Sequence, residues 1–170
     1  ANITVNPTAS AGTNGTLTIC SNGPPTNLFN QLGGAPSVGG TWSDPNGSAF
    51  NGLYDPAINT TGVYSYSVLG IAPCANNSAT ITVTENIQPN AGIDAAITGC
   101  SSSPAFDMTS SLGGTPDPGG TWTGPDGANV PALLDRSIAV SGVYIYQVNG
   151  IAPCVMEQAE LNVTIIPAPN

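Results

Sequence analysis

Ten of the eleven charged side chains of this sequence are carboxylates. Ten Asp and Glu residues stand beside a single basic residue, Arg136, and the chain has no Lys and no His. Two carboxyl groups held about 5 to 9 Å apart can hydrolyse glycosides. However, only Asp55 and Asp135 recur at equivalent positions of an internal repeat, so each repeat has one shared acid and no acid pair. Because the usual bases and nucleophiles are also absent, the sequence predicts a chain that is not an enzyme, with acids that cap turns.

Four cysteines, Cys20, Cys74, Cys100 and Cys154, could bind a metal ion or form disulfides. A zinc site is disfavoured because the chain has no Cys-x-x-Cys pair and no His. We therefore predict two structural disulfides, Cys20 with Cys74 and Cys100 with Cys154, formed in an oxidising compartment. Each would close a loop of about 54 residues and contribute roughly 4 kcal/mol in the chain-entropy model.

A calcium site is the alternative to a chain without cofactors. Glu85 and Asp94 flank the boundary between the two repeats, and calcium takes carboxylate and backbone oxygens as ligands. No EF-hand or nonapeptide motif is present. In the first repeat, Asn14 stands where the second has Asp94, and Ser10 stands where the second has Asn90. We therefore predict no cofactor, and a calcium site at Glu85 and Asp94 is the alternative hypothesis.

Two tryptophans and two tyrosines are candidates for binding or for core packing. An exposed Trp can stack on a sugar ring, but Trp42 and Trp122 both follow Gly-Gly-Thr. This shared position favours core packing of the kind seen in β-sandwiches. Tyr64 and Tyr144 each follow Gly-Val, and we predict that they form tyrosine corners, in which the hydroxyl bonds to nearby backbone.

The elements that must position these residues recur along the chain with a fixed period. Cys20 returns as Cys100, and the run of residues 70–74 returns unchanged as 150–154. From residue 20 to 90, roughly 31 of 71 positions are identical to those of the second copy without a gap. The repeat predicts one fold used twice.

The repeat also sets the expected domain boundaries. We predict one module at 11–84, a short and fairly stiff junction at 85–94, and a second module at 95–170. Residues 1–10 are expected to hold the last strand of a preceding repeat, because Ile3-Thr4-Val5 matches Ile81-Thr82-Val83. Pro169-Asn170 repeats Pro89-Asn90, so a further repeat is expected to follow.

Alternation of apolar and polar residues predicts β-strands. The clearest strands are 63–68 and 79–83, with counterparts at 143–148 and 159–165; earlier strands are expected at 17–20 and 96–100, and shorter ones around Leu28, Trp42 and Leu53. The 21 Gly and 16 Pro argue against long helices. The predicted fold is all-β: two tandem immunoglobulin-like Greek-key β-sandwich modules of about 80 residues, with one disulfide each.

Composition excludes two classes of partner. A formal net charge of -9 with one basic residue disfavours nucleic acid and anionic membrane surfaces, since both need clustered Lys or Arg. No apolar run approaches the roughly 20 residues of a spanning helix, so this segment is not expected to enter a membrane. Only 6% of residues are charged, and a surface of Ser, Thr, Asn and Gly favours an extracellular location.

The order of the motifs resembles the immunoglobulin-like tandem repeats of very large secreted Bacteroidetes surface proteins, such as gliding-motility adhesins. The shared motifs are Pro-Asn-Ala-Gly-x-Asp, Cys, Leu-Gly-Gly-x-Pro, Gly-Gly-Thr-Trp, Asp and Gly-x-Tyr-x-Tyr-x-Val, and they cover residues 12–170. The resemblance implies a stalk that is exported, anchored at the cell surface and topped by a distal adhesive region.

Three functions follow as hypotheses. The first is a non-catalytic repeat in the stalk or filament of a cell-surface adhesin, with neighbouring repeats of the same chain as partners. The second is a carbohydrate-binding or spacer module of a secreted enzyme, with surface polysaccharide as ligand. The third is a fibre subunit in which the strand at residues 3–5 completes a like subunit by strand addition.

Overall fold

The computed structural model describes residues 7–169, and the chain divides into two compact units. Unit 1 ends at Ile87 and unit 2 begins at Gln88. The strand predicted at residues 3–5 and the terminal Asn170 lie outside the described residues. Helices contribute only two short 3-10 turns to the described chain, and none of its helices is long and apolar enough to cross a membrane.

The described part of unit 1 folds into seven strands of two to ten residues. They are β1 (Gly15–Cys20), β2 (Thr26–Asn27), β3 (Thr41–Ser43), β4 (Ala49–Phe50), β5 (Leu53–Tyr54), β6 (Gly62–Val68) and β7 (Asn77–Asn86). Five form one sheet in the order β1-β7-β6-β3-β4, while β2 and β5 form the facing pair. Strand β1 is parallel to β7, and the other pairs are antiparallel. This is the Greek-key arrangement of an immunoglobulin-like sandwich.

Unit 2 repeats this arrangement in residues 88–169. Its strands are β8 (Ala95–Cys100), β9 (Phe106–Asp107), β10 (Thr121–Thr123), β11 (Asn129–Val130), β12 (Leu133–Leu134), β13 (Gly142–Val148) and β14 (Glu157–Ile166). The large sheet has the order β11-β10-β13-β14-β8, and β9 pairs with β12. The predicted all-β fold of two tandem immunoglobulin-like modules is confirmed.

Strand alternation places the core of each module between its two sheets. In β6 every second side chain from Tyr64 onward is buried, which gives Tyr64, Tyr66 and Val68. These pack with Ile81 of β7 and with Leu28 from the facing side. The alternation of apolar and polar residues in the sequence therefore matches the alternation of buried and exposed side chains along the strand.

Two predicted strands have other bounds in the structure. The short strand predicted around Leu28 is β2, which ends at Asn27; Leu28 itself begins the 3-10 helix Leu28–Gln31, where the Asn27 side-chain oxygen accepts the Phe29 N–H at 2.9 Å. Strand β7 continues past the predicted end at residue 83 to Asn86, because its backbone keeps pairing with β1. The first two residues of the predicted junction 85–94 thus belong to a strand.

The repeated Gly-Gly-Thr-Trp motif has a steric cause. Gly39 has a φ of +87°, a conformation that L side chains rarely adopt. At Gly40, an added Cβ would lie 2.5 Å from both the Ser67 carbonyl oxygen and the Tyr66 ring. Gly119 and Gly120 repeat both conditions. Glycine is therefore required at these positions so that the chain can pass close to the buried tyrosine.

Candidate functional site

The acid shared by the two modules caps a turn. An Asp55 side-chain oxygen accepts the Ala57 N–H at 2.9 Å. The equivalent Asp135 accepts both the N–H and the hydroxyl of Ser137, at 2.9 and 2.7 Å. The side-chain hydrogen bond from Ser137 lowers the pKa of the Asp135 carboxyl. Both carboxylates are thus used as acceptors within their own turns.

Most of the acids that the modules do not share are used in the same way. Backbone N–H groups of nearby turns donate to the carboxylates of Asp44, Asp107 and Asp126. The Asp117 carboxylate accepts from the Asn90 N–H at 2.8 Å. These carboxylates hold loops in place, and none of these contacts sets up a proton transfer.

The lead-in of each module is fixed by a side-chain oxygen, whether or not that side chain is charged. Asn14 accepts the Thr80 N–H at 2.9 Å, and its counterpart Asp94 accepts the Glu160 N–H at 2.8 Å. An amide oxygen and a carboxylate oxygen serve equally well as acceptors. The exchange of Asn for Asp between the repeats therefore preserves a structural contact.

The two calcium candidates each accept a hydrogen bond within their own unit. The Tyr54 hydroxyl donates to Glu85 at 2.5 Å, and Asp94 holds the β14 backbone as described above. Among residues 7–169, no group of three or more His, Cys, Asp or Glu side chains is close enough to hold a metal ion. The described structure thus gives no support to the hypothesis of a calcium site at Glu85 and Asp94.

The two tryptophans lie at equivalent places but differ in exposure. Trp122 is only 2% exposed, packs on Tyr146, and donates its indole N–H to Thr109 at 3.1 Å. Trp42 packs on Tyr66 with ring centroids 5.0 Å apart but is only half-buried. It lines a shallow pocket of about 260 Å³ whose walls include Phe29, Tyr66, Asn27 and Asn51.

The tyrosines bond to backbone in the manner of a tyrosine corner. The Tyr64 hydroxyl donates to the Thr60 carbonyl at 2.8 Å, and the Tyr144 hydroxyl donates to the Val140 carbonyl at 3.0 Å. Burial raises the pKa of both hydroxyls. Each hydroxyl ties the start of its strand to the turn before it.

A second tyrosine in each module makes two backbone contacts that the sequence analysis missed. The Tyr66 hydroxyl donates to the Ser37 carbonyl at 2.7 Å and accepts the Gly40 N–H at 2.8 Å. Tyr146 makes the same pair of bonds to Asp117 and Gly120. The signal for this contact was the second Tyr of the repeated Gly-x-Tyr-x-Tyr motif.

The modules differ in one part of their cores. In unit 1, the Phe50 and Tyr54 rings pack against Tyr64, with centroids 4.7 and 5.6 Å away. In unit 2 the corresponding residues are Val130 and Leu134, which are smaller. There they line a cavity of about 320 Å³ next to Tyr144.

Neither predicted disulfide pairing fits the structure. Cys20 and Cys154 are disulfide-bonded, whereas Cys100 is a thiol whose sulfur lies 3.2 Å from the Ser102 hydroxyl oxygen. The predicted bond between Cys100 and Cys154 is therefore wrong. The predicted bond between Cys20 and Cys74 is also wrong, because the strand register holds these two cysteines a full strand length apart.

The two cysteines of one module lie at opposite ends of a long strand. Cys20 is opposite Asn86, the last residue of β7, while Cys74 precedes Asn77, the first residue of β7. A ten-residue strand is about 30 Å long, but a disulfide needs Cα atoms within about 7 Å. In unit 2, Cys100 is opposite Ile166 and Cys154 precedes Glu157, so the same separation applies.

Each module thus has two chemically distinct ends. We call the end where β1 and β7, or β8 and β14, finish the exit end; it carries Cys20 or Cys100. The opposite end is the entry end; it carries the loop with Cys74 or Cys154. The lead-in contacts the entry end, since the Ala11 N–H donates to the Asn77 side chain at 2.7 Å.

In both loops a cis peptide bond precedes the proline next to the cysteine, at Pro73 and Pro153. The cysteine N–H then donates to the carbonyl three residues earlier at 2.9 Å, to Ile71 and Ile151 respectively. The cysteine therefore sits in a defined turn in both modules. This explains why the run Gly-Ile-Ala-Pro-Cys is repeated without change.

Comparison with known proteins shows the fold and no family. No protein-family model and no curated protein matches the sequence significantly. Two solved structures of a titin I-band fragment, one of them a Glu-to-Ala variant with three immunoglobulin domains, share 10% identity with the chain at a TM-score of 0.56. Each match covers 91% of this chain and 64% of the titin fragment.

Two further solved structures are also matched, at lower TM-scores. A Dscam structure has a TM-score of 0.43 at 16% identity, covering 96% of this chain and 45% of that chain. A structure of Sidekick-1 immunoglobulin domains 1-4 has a TM-score of 0.40 at 15% identity, covering 94% and 48%. The titin likeness establishes that this chain consists of tandem immunoglobulin-like domains.

Proposed function

We propose that this chain is a non-catalytic segment of a tandem array that forms the stalk or filament of an extracellular cell-surface adhesin. The observation that carries the proposal is the position of the chain ends within each module. The chain contacts the entry end of unit 1 at Ala11 and leaves the module after Asn86, at the exit end. A module entered at one end and left at the other can be joined head to tail without long connections.

The use of the polar groups supports a structural role. Most of the carboxylates accept hydrogen bonds from turns or lead-ins, and the shared acids Asp55 and Asp135 do so in equivalent turns. The aromatic residues that recur in both repeats pack in or against the cores, and their tyrosines also bond to backbone. Neighbouring repeats of the same chain are the partners that this arrangement favours.

Electron microscopy of the intact parent molecule tests the proposal. On the native surface or in the culture filtrate, we expect a thin fibre with a regular axial repeat. A compact enzyme that carries only two such modules would refute the stalk and would favour a spacer role. A solution mass above that of the monomer, lost when residues 1–6 are deleted, would instead favour assembly by strand addition.

Carbohydrate binding is a second candidate, favoured by the half-buried Trp42 and its shallow pocket. The ring lies beside Phe29 and Tyr66, and Asn27 and Asn51 supply polar groups at the rim. Stacking of a sugar ring on the Trp42 indole would change the fluorescence of that indole. We would titrate surface polysaccharide from the producing cells into the protein, comparing Trp42→Phe with the matched control Trp122→Phe. A response that persists in Trp42→Phe, or no response in either variant, would exclude this pocket as the site.

A further inference from the structure

We propose that the cavity of unit 2 binds a small aromatic amine, a molecule with one aromatic ring and one cationic nitrogen. The cavity has a volume of about 320 Å³ and lies next to Tyr144. Ligand pockets in proteins range upward from about 300 Å³, so this cavity suits a single-ring molecule. All its lining residues belong to unit 2, and the proposal does not depend on the adhesin function.

The walls of the cavity are mainly apolar and reach from the core to the surface. Leu134 and Tyr144 line it and are buried in the core of unit 2. Leu133, Ile138 and Val140 also line it and are exposed. A ligand can therefore enter from solvent. Placing a ring there removes apolar surface of both the ring and the walls from water, which is favourable.

Unit 1 shows which chemical group fits this space. There the rings of Phe50 and Tyr54 pack against Tyr64, with ring centroids 4.7 and 5.6 Å away. Unit 2 has smaller aliphatic side chains in place of both rings, while the tyrosine is retained as Tyr144. An aromatic ligand in unit 2 would restore the kind of ring contact that unit 1 makes with its own side chains.

Two carboxylates give the cavity a preference for positive charge. Asp126 and Asp135 line it, and no other lining residue within the described chain is charged. The only basic side chain, Arg136, has its guanidinium carbon 4.5 Å from the centre of the Phe106 ring. That guanidinium makes a cation–π contact and does not line the cavity. A cationic ligand is therefore attracted to the cavity and an anionic one is repelled.

Asp126 is placed to meet the nitrogen of the ligand. A Cβ added to Gly124 would lie 3.2 Å from Asp126 Oδ1 and 3.3 Å from Val130 Cγ1, so the carboxylate stands beside the apolar wall. Burial raises the pKa of the Tyr144 hydroxyl, and the negative charge of Asp126 raises it further. Asp126 Oδ1 accepts the Ala128 N–H at 3.0 Å, and Oδ2 can accept a hydrogen bond from an ammonium group.

Titration of the whole chain with phenethylamine, followed by two-dimensional NMR of the backbone amides, tests the proposal. We expect saturable shifts of the amide signals of Val130, Leu134 and Tyr144. The equivalent residues of unit 1, where the protein's own rings fill the space, serve as the internal control and should not shift. No saturable shift in unit 2, or equal shifts in both units, refutes the proposal. Shifts of the same signals on dilution of the protein alone would show that a second copy occupies the cavity, and would also refute it.

Phenethyl alcohol has the same ring without the charge, so it separates recognition of the ring from recognition of the amine. Asp126→Asn should weaken phenethylamine binding roughly twofold to fivefold, as expected for an exposed ion pair, and leave alcohol binding unchanged. Asp94→Asn removes the same charge from a residue that does not line the cavity, and it should change neither. Because unit 1 has Asn46 and Asn14 at these positions, both variants are expected to fold. An alcohol that binds as tightly as the amine, or an equal loss in Asp94→Asn, overturns the proposal.

Val130→Phe places a ring where unit 1 has Phe50, and it should abolish binding of both probes. Amide signals far from residue 130 along the chain show whether the variant is folded. Binding that persists in a folded Val130→Phe protein shows that the probes bind elsewhere and refutes the proposal. If the variant does not fold, the comparison of the two probes on the unsubstituted chain decides the question.

Discussion

Replacing Tyr66 by Phe removes one hydroxyl and leaves two backbone groups without their partner. The hydroxyl donates to the Ser37 carbonyl at 2.7 Å and accepts the Gly40 N–H at 2.8 Å. The ring itself is retained, so its packing under Trp42 is unchanged. The variant therefore isolates the hydrogen bonds from the burial of the aromatic ring.

The expected loss follows from the number of groups left unpaired. An unsatisfied buried donor or acceptor costs about 1 to 3 kcal/mol, and Ser37 and Gly40 are only partly buried. We take the low end for each, which gives about 2 kcal/mol for Tyr66→Phe. Tyr64→Phe is the matched control, because Tyr64 lies in the same strand and makes one bond, to the Thr60 carbonyl at 2.8 Å. Its expected cost is about 1 kcal/mol.

Urea denaturation followed by tryptophan fluorescence measures both variants. In a Trp122→Phe background all indole fluorescence comes from Trp42, so the transition reports unit 1. The midpoint should shift about twice as far for Tyr66→Phe as for Tyr64→Phe, with an unchanged slope. A shift for Tyr66→Phe that is no larger than that of the control would show that the hydroxyl does not clamp the Ser37 to Gly40 turn.

Three further predictions follow from the differences between the modules. Val130→Phe should fill part of the cavity of about 320 Å³ in unit 2 and raise its free energy of unfolding by about 1 kcal/mol in urea titrations; a loss of stability would show that the cavity cannot accept a ring. Burial, together with the Glu85 carboxylate, raises the pKa of Tyr54. The folded protein thus keeps the Tyr54 hydroxyl proton at a pH at which the unfolded chain has released it, above about 10. The stability that this contributes is fully present below that pH and is lost as the pH rises further. Because unit 2 has Leu134 at this position, alkaline melts should destabilise unit 1 more, and an equal loss in both units would contradict this. Acrylamide should quench Trp42 more than Trp122, which is 2% exposed, in the two single-Trp variants; equal quenching would contradict the difference in burial.

Much of the fold could be predicted from local patterns. Alternation in 63–68 and 143–148 identified the strands that supply Tyr64 and Tyr66 and their counterparts, because side-chain direction alternates strictly along a strand. Repetition of the same motifs showed that one fold is used twice. The end of the short strand near Leu28 could not be predicted in this way, because β2 has only two residues and a 3-10 helix capped by Asn27 follows it directly.

The contacts of the polar residues could not be predicted from the same patterns. Asp94 and Glu85 were considered as metal ligands because their oxygens suit calcium. In the structure, Asp94 accepts a backbone N–H from β14, and Glu85 accepts the Tyr54 hydroxyl. Both partners are distant in sequence, and nothing in the spacing of the acids indicates them.

By itself, the sequence determined the module count, the β-sandwich class and the buried faces of the strands, because repetition and alternation are local properties. The direction in which two distant strands run beside each other was decided only by the tertiary structure. The parallel pairing of β1 with β7 places Cys20 at the exit end, while the β6–β7 loop holds Cys74 at the entry end. The spacing of about 54 residues between these cysteines suggested a closed loop. Strand polarity makes that loop impossible, because two residues that a disulfide must bring within about 7 Å are held a full strand length apart.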